Sequence, residues 1–215
     1  MLFKTRATGQ ILPGLYTINC RYVNFYIYRD KDHTICFDAG TGCRRIKKEL
    51  KKINISPEQI THIFLTHSDK DHVDGVKLFT HAQIYMSKLE IPLMDGSVRR
   101  SRLTNNTIKN ITINTLDDGE IFKAGTYEIK AIGTPGHTPG SMSYLLNNQI
   151  LFIGDCFHIE KNSVTTGMNF MNMDKDLQQE SIKKLSELKD IKIVCTGHSG
   201  TSEDFEAIMK KWQKE

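Results

Sequence analysis

Short apolar segments recur along the whole chain, and single amphipathic stretches separate them. Alternation of apolar and polar positions, with many β-branched and aromatic residues, predicts strands over residues 12–18, 23–28, 34–37, 61–65, 82–86, 111–114, 120–123, 127–132, 142–146, 149–153 and 191–195. Apolar residues at helical spacing predict helices over residues 43–53, 72–79, 177–188 and 203–212, with a short turn of helix after Ser56.

The order of these elements indicates an α/β (α+β) protein. Strand-rich blocks alternate with single helices in two halves of similar length, and no linker or low-complexity stretch divides them. We therefore expect one domain over residues 1–215, with two sheets packed together and helices outside them. Two stretches carry little pattern: residues 92–110, which are polar and basic, and residues 156–174, which we interpret as a loop rich in Met and Asn.

Four side chains that can bind metals stand between the predicted strand 61–65 and the helix that follows it. They are His67, Asp69, Asp71 and His72, and we call this segment the metal loop. Ligands at the point where a strand ends and a helix begins lie where open α/β sheets place their sites.

Three later strands end in a similar way, with a glycine followed directly by a candidate ligand. These ligands are His137, Asp155 and His198. Imidazole and carboxylate groups suit zinc, and also iron or manganese. Seven ligands are too many for one tetrahedral ion, but they match two ions about 3.5–4 Å apart that share a carboxylate.

The order of these motifs resembles that of the metallo-β-lactamase-fold hydrolases, whose signature is T-H-x-H-x-D-H-x-G-G followed by a His, an Asp and a final His. The segment T-P-G-H-T-P-G-S at residues 134–141 is most similar to the glyoxalase II-like branch of thioesterases. The resemblance spans nearly the whole chain. It implies a four-layer αββα sandwich of two mixed β-sheets, with helices on the outer faces.

The resemblance also implies roles for the ligands. It places a first metal at His67, Asp69 and His137, a second at Asp71, His72 and His198, and a bridging carboxylate at Asp155. A hydroxide between the metals would be the nucleophile, and Asp71 would orient it as the catalytic residue. The expected cofactor is a pair of divalent ions, with zinc first and iron or manganese as alternatives.

Two residues depart from the family pattern. Asp74 stands in place of the first glycine of the signature, where a carboxylate suits the start of a helix. Asp69 stands in place of a histidine, and it is either a direct ligand or a hydrogen-bond partner of a water or a ligand histidine. As a ligand it would cancel the one positive charge left on the centre and make it a weaker Lewis acid.

The expected function is hydrolysis of a small acyl substrate of the thioester type. Lactone or phosphoester hydrolysis is the alternative at the same centre. An iron-dependent oxygenase or redox protein, or a catalytically degenerate binding module, is the alternative of another class. Because only residues 200–215 follow His198, we do not expect the helical extension that binds glutathione in glyoxalase II enzymes.

The composition limits the classes of partner that we expect the protein to bind. The chain has 29 basic and 25 acidic residues, a net charge of +4 that is too mild to indicate nucleic acid. Five cysteines without a C-x-x-C pair, and no apolar leader or long apolar run, indicate the cytoplasm and no membrane partner. A small-molecule substrate is the expected partner, and homo-oligomerisation is compatible with the sequence.

Several residues outside the ligand set are weaker candidates. His158, Phe170 and Arg100 are candidate substrate-binding residues, each with an equally simple interpretation as a loop or core residue. For the basic cluster Arg99, Arg100 and Arg102 we favour a solvated loop over an anion site. Cys156, directly after Asp155, is interpreted as a small buried hydrophobe, with a reactive thiol as the alternative.

Overall fold

Two β-sheets packed face to face form the centre of the molecule in the computed structural model, which describes residues 4–101, 104 and 106–213. The first sheet has seven strands in chain order, antiparallel from the first to the fourth and parallel from there on. Its strands are β1 (Gly9–Leu12), β2 (Leu15–Asn19), β3 (Asn24–Arg29), β4 (Thr34–Phe37), β5 (His62–Phe64), β6 (Gln83–Ser87) and β7 (Asn114–Leu116).

The second half of the chain contributes the other sheet and a separate hairpin. The strands are β8 (Ile121–Ala124), β9 (Tyr127–Gly133), β10 (Met142–Leu146), β11 (Ile150–Phe152), β12 (His158–Glu160), β13 (Ser163–Thr165), β14 (Ile193–Cys195) and β15 (Thr201–Ser202). Six of them form a sheet in the order β15-β14-β11-β10-β9-β8, in which only β11 and β14 are parallel. The strands β12 and β13 pair with each other as the hairpin.

The helices are short. They are α1 (Cys43–Lys52), α2 (Lys70–Val73), α3 (Ile91–Asp95), α4 (Lys175–Ser186) and α5 (Phe205–Met209). Single 3₁₀ turns occur at Pro57–Gln59, Asp74–Leu78, Lys88–Glu90 and Asn169–Met171. Among the described residues no helix has the length and apolar character that a membrane span requires.

Apolar side chains fill three layers of core. Between the sheets, the rings of Phe37 and Phe152 stack with centroids 3.6 Å apart and an interplanar angle of 7°. On the outer face of the first sheet, Ile46 of α1 is fully buried, and on that of the second sheet Ile182 of α4 is fully buried. This arrangement is the expected αββα sandwich of two mixed sheets.

The structure corrects several predicted boundaries. The strand predicted over residues 12–18 is broken by a turn at Pro13 and Gly14, because proline has no backbone N–H to donate and Gly14 has a φ of 79°. The helix predicted over residues 72–79 begins two residues earlier, at Lys70, and continues as a 3₁₀ turn.

The segment interpreted as a loop over residues 156–174 contains regular structure. The strands β12 and β13 form a hairpin whose two central residues, Lys161 and Asn162, both have positive φ. This is the geometry of a type I′ turn, whose twist matches that of the flanking strands. The loop interpretation was wrong here because the strands are three residues long and polar.

Candidate metal centre

All seven candidate ligands lie at one end of the sandwich. The metal loop follows β5, His137 follows β9, Asp155 follows β11, and His198 follows β14. The sequence therefore placed each candidate after the strand that carries it in the structure. The packing of the two sheets brings these loops together.

The first cluster consists of His67, Asp69 and His137. The Nε2 atom of His67 lies 3.6 Å from Oδ2 of Asp69, and the Nε2 atom of His137 lies 3.0 Å from the same oxygen. One ligand atom from each residue lies within 4.8 Å of the other two, so a single ion could contact all three.

The second cluster consists of Asp71, His72 and His198. The Oδ2 atom of Asp71 lies 3.4 Å from Nε2 of His198 and 3.9 Å from Nε2 of His72. These atoms also meet the distance requirement for a common ion. Asp71 is the partly exposed member, with 22% of its side chain accessible, so it lies at the open side of the cluster.

Asp155 contacts histidines of both clusters. Its Oδ1 atom lies 3.4 Å from Nε2 of His72, and its Oδ2 atom lies 3.1 Å from Nε2 of His198 and 3.7 Å from Nε2 of His137. A carboxylate placed in this way could contact ions held at either cluster.

Hydrogen bonds at Nδ1 hold the histidine rings so that Nε2 points into the centre. Asp38, the residue after β4, accepts a bond from Nδ1 of His72 at 2.8 Å. The same carboxylate accepts bonds from the backbone N–H and the hydroxyl of Thr66, and that hydroxyl lies 2.9 Å from Nδ1 of His67. Asp38 thus orients one histidine directly and a second through Thr66.

The other two histidines are held by separate partners. His137 has Nδ1 3.0 Å from the side-chain oxygen of Asn172, and His198 has Nδ1 2.6 Å from the backbone carbonyl of Tyr22. In the neutral rings these acceptors place the proton on Nδ1 and leave the Nε2 lone pair directed inwards.

The residues fit a divalent ion. The Nε2 atoms of His67 and His72 and the Oδ1 atom of Asp155 are buried without a hydrogen-bond partner. Buried polar atoms without partners are costly, and metal ions bind nitrogen and oxygen donors of this kind. Cations at the two clusters would satisfy all three atoms.

The side chains of the centre shift one another's pKa values. Burial raises the pKa of Asp69, but the neighbouring side chains of His137 and His67 outweigh burial and hold the pKa far below its ordinary value. Burial likewise opposes ionisation of Asp155, whose pKa the nearby His198 and His72 lower. The carboxylates of Asp69 and Asp155 therefore stay ionised, which is the form that binds a metal.

Glu90 connects two of the ligand-bearing loops beneath the centre. It is fully buried, and its carboxylate accepts bonds from the backbone and hydroxyl of Ser68 at 2.9 and 2.7 Å. It also accepts bonds from the Thr138 hydroxyl at 2.8 Å and the Gly140 N–H at 3.1 Å. The metal loop and the loop that carries His137 therefore share one buried anion.

Close approach at the centre requires a glycine at position 197. A Cβ atom there would overlap Oδ1 of Asp155 and approach Cε1 of His72 to 2.7 Å. A larger residue would push the Asp155 carboxylate out of place.

Asp69 also contacts two residues outside the ligand set. Its Oδ1 atom accepts bonds from Arg100 Nε at 2.8 Å and from Asn106 Nδ2 at 2.6 Å, and its Oδ2 atom accepts one from Arg100 Nη2 at 3.2 Å. The solvated-loop interpretation is wrong for Arg100, because only 10% of its side chain is accessible. Arg99 is exposed, as expected, and Arg102 lies outside the described residues.

The remaining candidates are placed as follows. The ring of His158 stacks on that of His198, with centroids 6.0 Å apart and an interplanar angle of 9°, so His158 borders the centre. Phe170 is 82% exposed and lies on the 3₁₀ turn beside the residues that contact Arg100 and His137. Cys156 belongs to the core, where burial raises its pKa to about 12, in agreement with the interpretation as a hydrophobe.

Asp38, Glu90 and Asn172 support the centre but are not among the residues predicted from the sequence. The position of Asp38 could have been recognised from the sequence. It follows β4 directly and is followed closely by Gly40, so a carboxylate and a glycine stand at the end of a strand. The other two residues carry no such signal, because Glu90 closes a 3₁₀ turn and Asn172 lies in an irregular segment. Only contacts between distant segments reveal them.

Comparisons with known proteins agree with this geometry. The family model described as the metallo-beta-lactamase superfamily matches residues 18–198, a range that contains all seven candidate ligands. The match therefore extends from β2 to the final histidine.

Two curated relatives have names that bear on chemistry. A protein of Bacillus velezensis named "probable polyketide biosynthesis zinc-dependent hydrolase" is 35% identical over 135 residues, which cover 61% of this chain and 53% of the relative. A hydroxyacylglutathione hydrolase of Bartonella henselae is 31% identical over 186 residues, covering 85% of this chain and 65% of the relative. The chain spans between about half and two thirds of the length of the first curated relatives it matches.

Solved structures share the fold. The crystal structure of the metallo-beta-lactamase SMB-1 bound to 2-mercaptoethanesulfonate matches with a TM-score of 0.74 at 16% identity, covering 98% of this chain and 95% of that one. At this identity the likeness concerns the architecture alone.

Proposed function

Because the chain belongs to the metallo-beta-lactamase superfamily, we propose that it is a metal-dependent hydrolase that cleaves a small acyl substrate of the thioester type. The observation that carries the proposal is the convergence of four histidine Nε2 atoms and three carboxylates on one point at the end of the sandwich. The two named relatives, a zinc-dependent hydrolase and a hydroxyacylglutathione hydrolase, support hydrolysis and favour a thioester.

Each of the two clusters would hold one metal ion. One divalent ion would be held by Asp71, His72 and His198, and zinc is the first choice for this donor set. A second ion would be held by His67, Asp69 and His137. Asp155 would contact both ions. An ion bound there polarises an acyl carbonyl and lowers the pKa of a water molecule to about 7.

Asp71 is the residue best placed to handle a proton. Its carboxylate is partly accessible, whereas those of Asp38 and Asp155 are buried, and its Oδ2 atom faces Nε2 of His198. The carboxylate of Asp69 is accessible to a similar extent, but Arg100 and Asn106 occupy its oxygens. It can accept a hydrogen bond from an attacking water and turn a lone pair of that water towards the substrate carbon. Its proposed role is therefore both ligand and orienting base.

The walls of the centre suit a small substrate. His158 forms one side through its stack on His198, and the segment that carries Phe170 forms another. Phe170 presents an exposed apolar ring that an acyl chain could cover. The substrate would thus enter between a polar wall and an apolar one.

The test is hydrolysis of a panel of thioesters, lactones and phosphodiesters by protein loaded with zinc, manganese or iron. We expect thioester turnover, and a loss of roughly 100-fold or more in kcat for Asp71→Asn, because the amide neither accepts the proton nor binds metal as a carboxylate does. Elemental analysis of each sample separates loss of metal from loss of the proton acceptor.

Asp74→Asn is the matched control. Asp74 lies on the same helical segment, but its carboxylate bonds to Lys77 and to the Gly42 N–H instead of to the centre. This variant is expected to retain wild-type activity. Absence of turnover on every substrate class, or an Asp71→Asn variant as active as the wild type, would contradict the proposed function.

A further inference from the structure

The guanidinium of Arg100 lies against the first cluster. Its Nε and Nη2 atoms donate to the two oxygens of Asp69 at 2.8 and 3.2 Å, and Nη2 also donates to the backbone carbonyl of Met171 at 2.6 Å. The same Nη2 atom lies 3.2 Å from Nε2 of His137. One nitrogen therefore reaches two of the three candidate ligands of the first site.

The contact with His137 occupies the atom that a metal would need. The Asn172 amide donates through Nδ2 to the Thr166 carbonyl, so its oxygen faces Nδ1 of His137 as an acceptor. In the neutral ring the proton is then on Nδ1, and Nε2 presents a lone pair. Because an arginine side chain stays protonated, Arg100 donates into that lone pair.

Arg100 also changes the charge of the first site. A carboxylate at position 69 adds a negative charge that a histidine would not bring, and the paired guanidinium cancels it. The pairing engages both oxygens of the carboxylate, the strongest geometry for such a pair. The Asp69–Arg100 pair thus has no net charge, like a neutral histidine ligand. The metal-binding atoms of Asp69 and His137 are already in contact with the guanidinium.

In the second cluster, the described residues provide no such competitor for Asp71 and His72. Within the described part of the chain, no lysine or arginine pairs with Asp71 or Asp155, whose ion-pair partners are all histidines. The Nε2 atom of His72 is buried without a hydrogen-bond partner. The two sites therefore differ in how readily they can accept a cation.

We propose that Arg100 is a built-in cation that competes with metal for the first site. Metal fills the site of Asp71, His72 and His198 first, and enters the site of His67, Asp69 and His137 only by displacing the guanidinium. The protein then works with one tightly held ion and one exchangeable ion. This inference rests on the metal binding in the proposed function but is independent of the substrate.

The experiment is a metal titration of chelator-treated protein, with zinc followed by calorimetry and cobalt followed by its visible absorption. For the wild type we expect one tight equivalent and a second, weaker step. In Arg100→Met, which keeps the aliphatic stem but removes the charge and the donors, the second step should tighten roughly 10-fold or more, the size expected for losing hydrogen bonds between charged groups.

Two further variants make the result specific. Arg99→Met removes an exposed neighbouring arginine and should titrate as the wild type does. Arg100→Lys keeps a cation at the site and should leave the second step weak, which separates the effect of charge from that of a disturbed loop.

Three outcomes would overturn the inference. Two equal steps in the wild type would show that Arg100 does not discriminate between the sites. A second step that is unchanged or weaker in Arg100→Met would show that Arg100 holds Asp69 in place as a ligand. A protein that binds no metal at either step would overturn the proposed function as well, so the two failures are distinguishable.

Discussion

At the scale of single residues, the carboxylate of Asp38 supports two of the candidate ligands from outside the ligand set. It has a φ of 61°, a left-handed conformation that few residues other than glycine adopt. This turn directs its carboxylate back to Thr66 and His72 beneath the centre. One strained residue thereby sets the orientation of two imidazole rings.

Replacing this carboxylate with an amide tests its role. In Asp38→Asn the side chain keeps its size but can offer only one oxygen to Thr66 and His72. We expect metal affinity to fall roughly 10- to 100-fold, the usual effect of losing a partner behind a metal ligand, as measured by competition with a chromophoric chelator. Asp32→Asn, an exposed aspartate in the turn before β4, is the control, and equal affinities of the two variants would refute the assignment.

At the scale of elements, the centre depends on loops that hold one another as well as on strands. Glu90 at the end of a 3₁₀ turn after β6 takes four hydrogen bonds, two from the metal loop and two from the loop between β9 and β10. The Met142 N–H, just after the second loop, donates to the Thr66 carbonyl, just before the first, at 2.9 Å. The relative position of the two loops therefore depends in part on the buried carboxylate that both contact.

Glu90→Gln should destabilise the metal-free protein by about 2–4 kcal/mol, because the amide NH₂ group would face donors and leave buried groups unpaired. Urea unfolding followed by circular dichroism measures the change in free energy. Glu203→Gln, at an exposed position, should alter stability little. A Glu90→Gln variant as stable as this control would mean that the loops are held by other contacts.

At the scale of the whole molecule, the charges gathered at one end of the sandwich make stability depend on pH in a predictable direction. Burial opposes the charged forms, but Asp155 and other carboxylates raise the pKa of His72 and His198, while the histidines lower that of Asp69 and Asp155. In the metal-free protein the aspartates contribute stability above about pH 4 and lose it as the pH falls, whereas the histidines contribute below about pH 6.5 and lose it as the pH rises.

The metal-free protein should therefore be most stable between about pH 4 and 6.5 and weaker at pH 9. With zinc bound, the free energy of unfolding should instead rise with pH on the alkaline side, because zinc binding requires neutral imidazoles and tightens as they lose protons. Urea unfolding at pH 5, 7 and 9, with EDTA or with zinc, measures both profiles. Identical pH dependence in EDTA and in zinc would rule out these histidines as metal ligands.

Local pattern was enough to predict two packed sheets with helices outside them and the location of all seven candidate ligands. Strand periodicity marks where each strand ends, and a glycine with a His or Asp at that point is a short-range signal that needs no knowledge of packing. The same reasoning failed for the broken first strand and for β12 and β13, where turn residues and short polar strands override periodicity.

Only the tertiary structure determined which residues support the ligands and what Asp69 contacts. Arg100 lies 31 residues from Asp69 in the chain, and Asn172 lies 35 from His137, in segments without any periodic pattern. Their contacts depend on how two sheets and three loops pack, because hydrogen bonds between distant segments are not encoded in the neighbours of either residue. The sequence by itself thus determined the candidate ligands, and the packing decided that the guanidinium of Arg100 lies against one of the two candidate sites.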